Sequence, residues 1–313
     1  MIPALVLTAG LATRLRPLSL VRAKAVLPVG GVPLVARILR SLADAGVRDA
    51  VLNLHHLPET IASRIGDGSD LGLRVRYSWE VPVLGSAGGP RRALPLLGTP
   101  TAFVLNGDTL SSVDLAALAR DHARSGALVT MAVTPNREPD KYGGVLAEGG
   151  AVTGFVRRGT SQRSFHFTGV QIVSAAAFEA VPPDVPYESV GALYPALLAG
   201  HPGSIRVFET DAEFHDIGTP ADYLRTSLLF AAREGAGRAD GVRTQVDPAA
   251  HVVDSVLWDD VVVGTGARLH RAVVTDGVRI PDHTTWDGVT IRRATDALVP
   301  AERRIGDLAV APL

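Results

Sequence analysis

Short, largely apolar runs at residues 4–7, 51–54 and 101–105 predict strands buried on both faces. Between the first two, Leu34, Ile38, Leu42 and Ala45 recur at helical spacing, and Gly46 closes the helix. Residues 58–65 predict a second helix, with Pro58 suited to its first turn. Residues 73–77 alternate as a further strand. Strand, helix, strand, helix, strand implies a parallel sheet with crossover helices. The fold class is therefore doubly wound α/β, mostly parallel, with ligands at the carboxyl ends of the strands. A helix over 90–97, a helix over 115–125, a strand over 127–133, a hairpin about Glu148-Gly149-Gly150 and a strand over 165–173 continue the pattern. A helix over 195–200, a strand over 205–209 and a helix over 223–233 complete it.

After a linker at Glu234-Gly235-Ala236-Gly237-Arg238 the pattern changes. Val246 and Val252 are six residues apart, as are Leu257, Val263 and Leu269, and again Val274 and Ile280, with five-residue slips between the sets. Such a period suits a hexapeptide parallel β-helix with one short strand per face. Residues 1–233 are thus expected to form the α/β domain and residues 241–313 the β-helix tail. So few coils cannot cover their own ends, so packing on the first domain or on another copy is expected, and with it a homo-oligomer.

Composition narrows the partners. With Lys+Arg 31 against Asp+Glu 32 in 313 residues, a general nucleic-acid or membrane surface is not expected. The absence of cysteine excludes disulfides, thiolate metal sites and a cysteine nucleophile. No apolar run approaches the roughly 20 residues of a membrane span, and no secretory pattern is visible. A cytoplasmic location is the expectation.

Positive charge is concentrated at Arg14, Arg16 and Lys24, after the small-residue loop Thr8-Ala9-Gly10-Leu11-Ala12-Thr13. Free loop amides followed by three cations are what a polyphosphate requires. The stretch lacks the Lys-Ser or Lys-Thr pair of a Walker loop and the three glycines of the dinucleotide fingerprint. A tight turn with solvated arginines is the plainer alternative. Asn106-Gly107-Asp108 ends the strand over 101–105; it suits a bare turn, or a carboxylate placed to hold a cation at a strand's carboxyl end.

The longer string TAGLATRLRPLS…AKAVLPVGGVPL resembles the signature of the sugar-1-phosphate nucleotidyltransferases, LxAGxGTRLxPLT…PKxLxPVxGxPL. Ala12 stands in place of a family glycine, and Ala23 in place of a proline. Residues 80–92, EVPVLGSAGGPRR, resemble the family segment over the nucleotide base. The thymidylyl branch has a glutamine-proline pair there and this chain does not, so the resemblance leans toward the guanylyl or related branches, with guanylyl favoured over uridylyl or thymidylyl. Pro139 to Val145 resembles the Tyr-Gly-Val strand entry beside the sugar. Phe214-His215-Asp216-Ile217-Gly218-Thr219-Pro220 resembles W-x-DIGTP.

The resemblance implies Mg²⁺-dependent transfer of a nucleotidyl group from a nucleoside triphosphate to a sugar 1-phosphate. Arg14, Lys24 and Asp108 would be catalytic. Thr8, Ala9, Gly10, Arg14, Glu80, Gly85 and Gly88 would bind nucleotide. Tyr142, Gly143, Arg158 and Gly169 would receive the sugar phosphate, and Asp108 and Asp216 would hold the metal. Arg157-Arg158-Gly159 replaces a family Glu-Lys-Pro, so Arg158 is either the phosphate contact or part of a solvated pair. Asp216 is either a metal ligand or a helix cap. Gly169 marks close approach by a ligand or another backbone. A non-catalytic binding homologue is the competing reading, supported by Ala12, Ala23 and Arg157-Arg158-Gly159; an assembly protein built on the tail is a third. Since every candidate residue precedes Glu234, deleting residues 241–313 is expected to leave the site whole, with some activity in any soluble fraction, while the protein changes association state or aggregates.

Overall fold

The computed structural model describes residues 2–236 and 238–313; Gly237, within the expected linker, lies outside the described residues. Strand Ala4–Leu7 sits inside a nine-stranded sheet because neither of its faces carries a group that needs water. Across the sheet the order is Arg74–Trp79, Asp49–Leu54, Ala4–Leu7, Thr101–Asn106, Phe165–Ser174, Val129–Pro135, Ile205–Glu209, Ala151–Val156 and Gly144–Glu148. The first four run parallel to one another. Phe165–Ser174 is antiparallel to both its neighbours, and Ala151–Val156 is antiparallel to both of its own. The doubly wound core is therefore mixed on this side rather than wholly parallel. Leu5, Val51, Val104, Met131, Val133 and Ile205 are buried in the core about this sheet.

The chain divides into two compact units. One comprises Met1–Gly10, Arg37–Pro58 and Ile65–His215, and holds the nine-stranded sheet. The other comprises Leu11–Ala36, Glu59–Arg64 and Asp216–Leu313. In the second unit, helix Pro220–Arg233 starts at a reciprocal cap: Thr219 Oγ1 accepts from Asp222 N at 3.1 Å, and Asp222 Oδ2 accepts from Thr219 N at 3.2 Å. The cap is thus Thr219, which removes that role from Asp216.

The six-residue period becomes three parallel ladders. Gln245–Val246, Val262–Val263 and Arg279–Ile280 form one; His251–Val253, Arg268–His270 and Thr285–Asp287 form another. The third begins with Ala239–Asp240, Val256–Leu257 and Val273–Val274. Partners such as Val246 and Val263 are one coil apart, two six-residue steps and one of five. Leu257, Val263, Leu269, Val274 and Ile280 fill the interior, at most 2% exposed.

The tail does not end in parallel coils. Val289–Arg293 pairs antiparallel with Leu308–Pro312, which pairs antiparallel with Arg303–Ile305. This returning hairpin covers the last coil's open edge, and two exposed arginines blunt the new one. The connecting loop is pinned by a two-pronged pair, with Arg292 Nε donating to Glu302 Oε1 at 2.6 Å and Nη2 to Oε2 at 2.7 Å. Their side chains are 4% and 0% exposed. Glu302→Ala is expected to destabilise the tail by about 3–5 kcal/mol, because it strands a buried guanidinium; chemical unfolding followed at Trp258 and Trp286 measures it. No described helix is long and apolar enough to cross a membrane.

Candidate active site

Within the first unit, strand Ala4–Leu7 delivers Thr8 to a chain of buried polar contacts. Thr8 N donates to Asn53 Oδ1 at 2.6 Å, and Thr8 Oγ1 to the Asn53 carbonyl at 2.5 Å. Asn53 Nδ2 donates to Glu80 Oε1 at 2.7 Å, and Leu84 N to Glu80 Oε2 at 2.8 Å. Glu80 is 1% exposed and both its oxygens are engaged, so it ties the first loop to the second from inside. Asn53 is absent from the sequence-based site. Its signal is a lone amide inside an apolar strand, which burial forces to find partners.

The glycine-rich segment departs from expectation. Instead of a loop followed by a helix over 90–97, the helix is Gly85–Ala93, with Pro90 inside it and a 3₁₀ turn, Leu94–Leu97, after it. The glycines admit neighbours. A Cβ on Gly88 would stand 2.5 Å from the Val185 carbonyl, and one on Gly89 2.5 Å from Glu80 Oε1. Gly85 has φ +75, and its Cβ would meet Glu188 Oε1 at 2.8 Å.

Asp108 is placed by Gly107. A Cβ there would lie 2.4 Å from the Leu7 carbonyl, to which Gly107 N donates at 3.0 Å. Only glycine lets this turn press on the end of strand Ala4–Leu7, and that sets half-buried Asp108 beside the start of the Thr8 loop. Thr109 Oγ1 donates to Asp108 Oδ1 at 3.1 Å. Gly169 has φ +80 in a strand whose register shifts between Phe167 and Gln171, and its close neighbour is the Asn106 side chain, 3.1 Å from a Cβ.

Tyr142, His166 and Phe214 form a ring cluster, with centroids 4.3 Å (Tyr142–His166) and 4.4 Å (His166–Phe214) apart. They line a cleft of about 340 Å³ with Asn136, Arg137 and Glu138. A Cβ on Gly143 would stand 2.9 Å from the Val156 carbonyl, while Arg157 and Arg158 are exposed. Burial, with the Lys141 charge adding to it, pushes His166 down to about 4 from 6.5. Protonation is thus harder in the folded chain than in the unfolded one. Stability is full above pH 6.5 and declines as pH falls toward about 4. The loss is expected to be about 1–3 kcal/mol. Urea melts of His166→Phe at neutral and acid pH check this by showing a shallower decline.

The second unit holds the remaining candidate residues. Ala12 sits in the left-handed region at φ 48, ψ 43, the conformation a family glycine would take without cost. Ala23 has φ −55, ψ 142, and its N–H donates to Thr60 Oγ1 at 3.1 Å. A proline fits that backbone but has no N–H to give, so the alanine exchanges rigidity for a hydrogen bond. A Cβ on Gly218 would stand 3.2 Å from Asp216 Oδ2 and 3.7 Å from Arg14 Nη1. Glycine here lets the carboxylate and the guanidinium converge. Lys24 is partly exposed, while residues 22–23 and 25–29 are buried.

Among the described residues, no three His, Cys, Asp or Glu side chains gather to hold a metal.

The nucleotidyl transferase family model matches residues 3–233. The chain belongs to this family. A GlmU-like C-terminal hexapeptide model matches residues 241–294. The chain is 31% identical to a mannose-1-phosphate guanylyltransferase of Mycobacterium tuberculosis, over 89% of this chain and 81% of the relative. It is 29% identical to a mannose-1-phosphate guanyltransferase of Aspergillus fumigatus, over 92% of this chain and 85% of the relative. Two solved structures share the fold. The HddC protein of Yersinia pseudotuberculosis matches at TM-score 0.65 and 24% identity, over 74% of this chain and 100% of that one. A putative glucose-1-phosphate thymidylyltransferase of Bacillus anthracis matches at TM-score 0.66 and 18% identity, over 74% of this chain and 96% of that one. As a member of the family, the chain transfers a nucleotidyl group from a nucleoside triphosphate to a sugar 1-phosphate and depends on a divalent metal.

Proposed function

We propose that this nucleotidyl transferase uses GTP and mannose 1-phosphate, or a closely similar hexose 1-phosphate, with Mg²⁺ as its metal. What carries this reading is the run of mannose-1-phosphate guanylyltransferases that match across both the α/β domain and the tail. Catalysis is assigned to residues 1–233 and a supporting role to residues 241–313.

The attacking group is already a phosphate anion, so the protein need not remove a proton from it. Its work is to bring two polyanions into line and to offset their charge. Thr8's N–H is committed to Asn53, which leaves Ala9, Gly10 and the amides beyond them to meet phosphate oxygens. Arg14 clamps the triphosphate, and Lys24 meets charge that shifts during transfer. Glu80, Gly85 and Gly88 shape the base pocket, Glu80 acting through Asn53 and Leu84. Tyr142, Gly143, Arg158 and Gly169 receive the sugar phosphate. Asp108 and Asp216 are the carboxylates that would hold Mg²⁺, which supplies Lewis-acid stabilisation of the reacting phosphates when bound.

Incubation with each NTP and a panel of sugar 1-phosphates, followed by pyrophosphate release, tests the reading. GTP with mannose 1-phosphate is expected to be fastest. No release with any pair would overturn it in favour of a binding homologue. Within this reading Lys24→Ala is expected to lower kcat by about 10²-fold or more while GTP affinity changes little, since the lost interaction belongs to the transition state. A collapse of affinity at unchanged kcat would make Lys24 a binding residue only.

A further inference from the structure

A guanidinium two residues before Lys24 is buried against the tail. Arg22 is 2% exposed, a burial that long cations rarely adopt unless paired. Its Nη2 donates to Asp259 Oδ2 at 2.6 Å, and its Nε to Asp276 Oδ2 at 2.7 Å. Nη2 also pairs with Asp276 Oδ1. Asp259 and Asp276 occupy matching positions one coil apart, and Asp276 Oδ1 further accepts from Asp259 N at 3.2 Å. Arg64 Nη2 joins Asp259 at 2.9 Å. The Trp258 ring lies under the guanidinium, 5.0 Å from Cζ to centroid.

The downstream end of the same segment is tied to the same place. Trp258 Nε1 donates to Tyr223 Oη at 2.8 Å, and Tyr223 Oη donates to the Pro28 carbonyl at 2.7 Å. Trp258 and Tyr223 are both 0% exposed. Residues 22 and 28 are thus anchored to the coils by directional contacts, and Ala23 is held by Thr60. From residue 22 to residue 29 every side chain is buried except that of Lys24.

We propose that Arg22 is a positioning residue for Lys24, and that Asp259, Asp276 and Trp258 make the tail part of the machinery that sets the lysine's reach. An apolar side chain of similar volume would fill the site, so packing alone does not call for the charge. What the guanidinium adds is direction: three charge-assisted hydrogen bonds fix the segment's height and rotation, where apolar contact would let it slide. This inference rests on the catalytic role assigned to Lys24, but its first readout does not.

The chain contains two lysines, Lys24 and Lys141. Acetylation of the full-length protein, resolved by mass spectrometry, therefore reports Lys24 with Lys141 as an internal reference. In Arg22→Met, which keeps volume and removes charge, the Lys24 rate relative to Lys141 is expected to shift at least threefold. kcat is expected to fall 10- to 100-fold, with KM for the NTP within threefold of the parent. A folded Arg22→Met with both the relative rate and kcat within twofold of the parent overturns the proposal, as does a rise in KM alone. Should Arg22→Met fail to fold, Asp276→Asn leaves the Asp259 pair in place and is read the same way. A folded Asp276→Asn with unchanged labelling and turnover likewise overturns it. If the parent releases no pyrophosphate from any substrate pair, the assigned function fails, while the labelling shift still decides whether Arg22 positions Lys24.

Discussion

Asp108→Asn is expected to lower turnover by roughly 10³-fold while the protein stays folded. The change is isosteric, and the amide oxygen can still accept from Thr109 Oγ1, the contact made at 3.1 Å by the carboxylate. Gly107, which presses the turn against the Leu7 carbonyl, is untouched. Under the proposed assignment, what is lost is one negative charge at the divalent ion. Asp216→Asn is expected to behave alike, since Thr219 and not Asp216 caps the helix that follows. Pyrophosphate release at saturating Mg²⁺, set beside thermal melts, separates lost chemistry from lost fold. Near-normal Mg²⁺-dependent rates in both variants would remove the metal assignment.

Deletion of residues 241–313 is expected to abolish turnover and most of the soluble protein. Sequence reasoning alone also expects a changed association state or aggregation, but with activity surviving in any soluble fraction, because every candidate site residue lies before Glu234. The reversal comes from the partners of two buried groups. Arg22 loses Asp259, Asp276 and the Trp258 ring, and Tyr223 loses the Trp258 donor. Without those partners the 22–28 segment loses the directional contacts that hold it, in a domain kept folded by only roughly 5–15 kcal/mol. Removal of the tail also uncovers apolar surface on helix Pro220–Arg233. Size-exclusion chromatography with light scattering, followed by pyrophosphate release on the soluble fraction, measures both effects. A soluble truncated protein with parent-like turnover would show that the tail is dispensable.

Much of this protein is written in its local patterns. Strands and helices of the α/β domain follow from apolar runs and helical spacing, because burial on two faces or on one stripe depends only on residue order. The seventeen-residue coil is legible as two six-residue steps and one of five, since each coil repeats the same inward positions. The candidate phosphate loop and the two aspartates are legible from motif strings, which need no partner to be recognised.

Other features were settled by contacts between distant residues. Glycines 85, 88 and 89 look like an open loop; the 185–188 segment and Glu80 turn them into a helix, because space for a Cβ is not encoded beside the glycine. Glu80 looks like a ligand for the nucleotide, yet Asn53, 27 residues away, and the Leu84 amide occupy its oxygens. Ala23 looks like a lost proline until Thr60 is seen to accept its N–H. Arg22 carries no motif, and its burial depends on carboxylates 237 and 254 residues further along. The order of residues determined which elements form and which chemical groups are available. Tertiary packing decided which of those groups are spent on holding the fold, because a buried charge or amide is satisfied only by partners the whole structure brings to it.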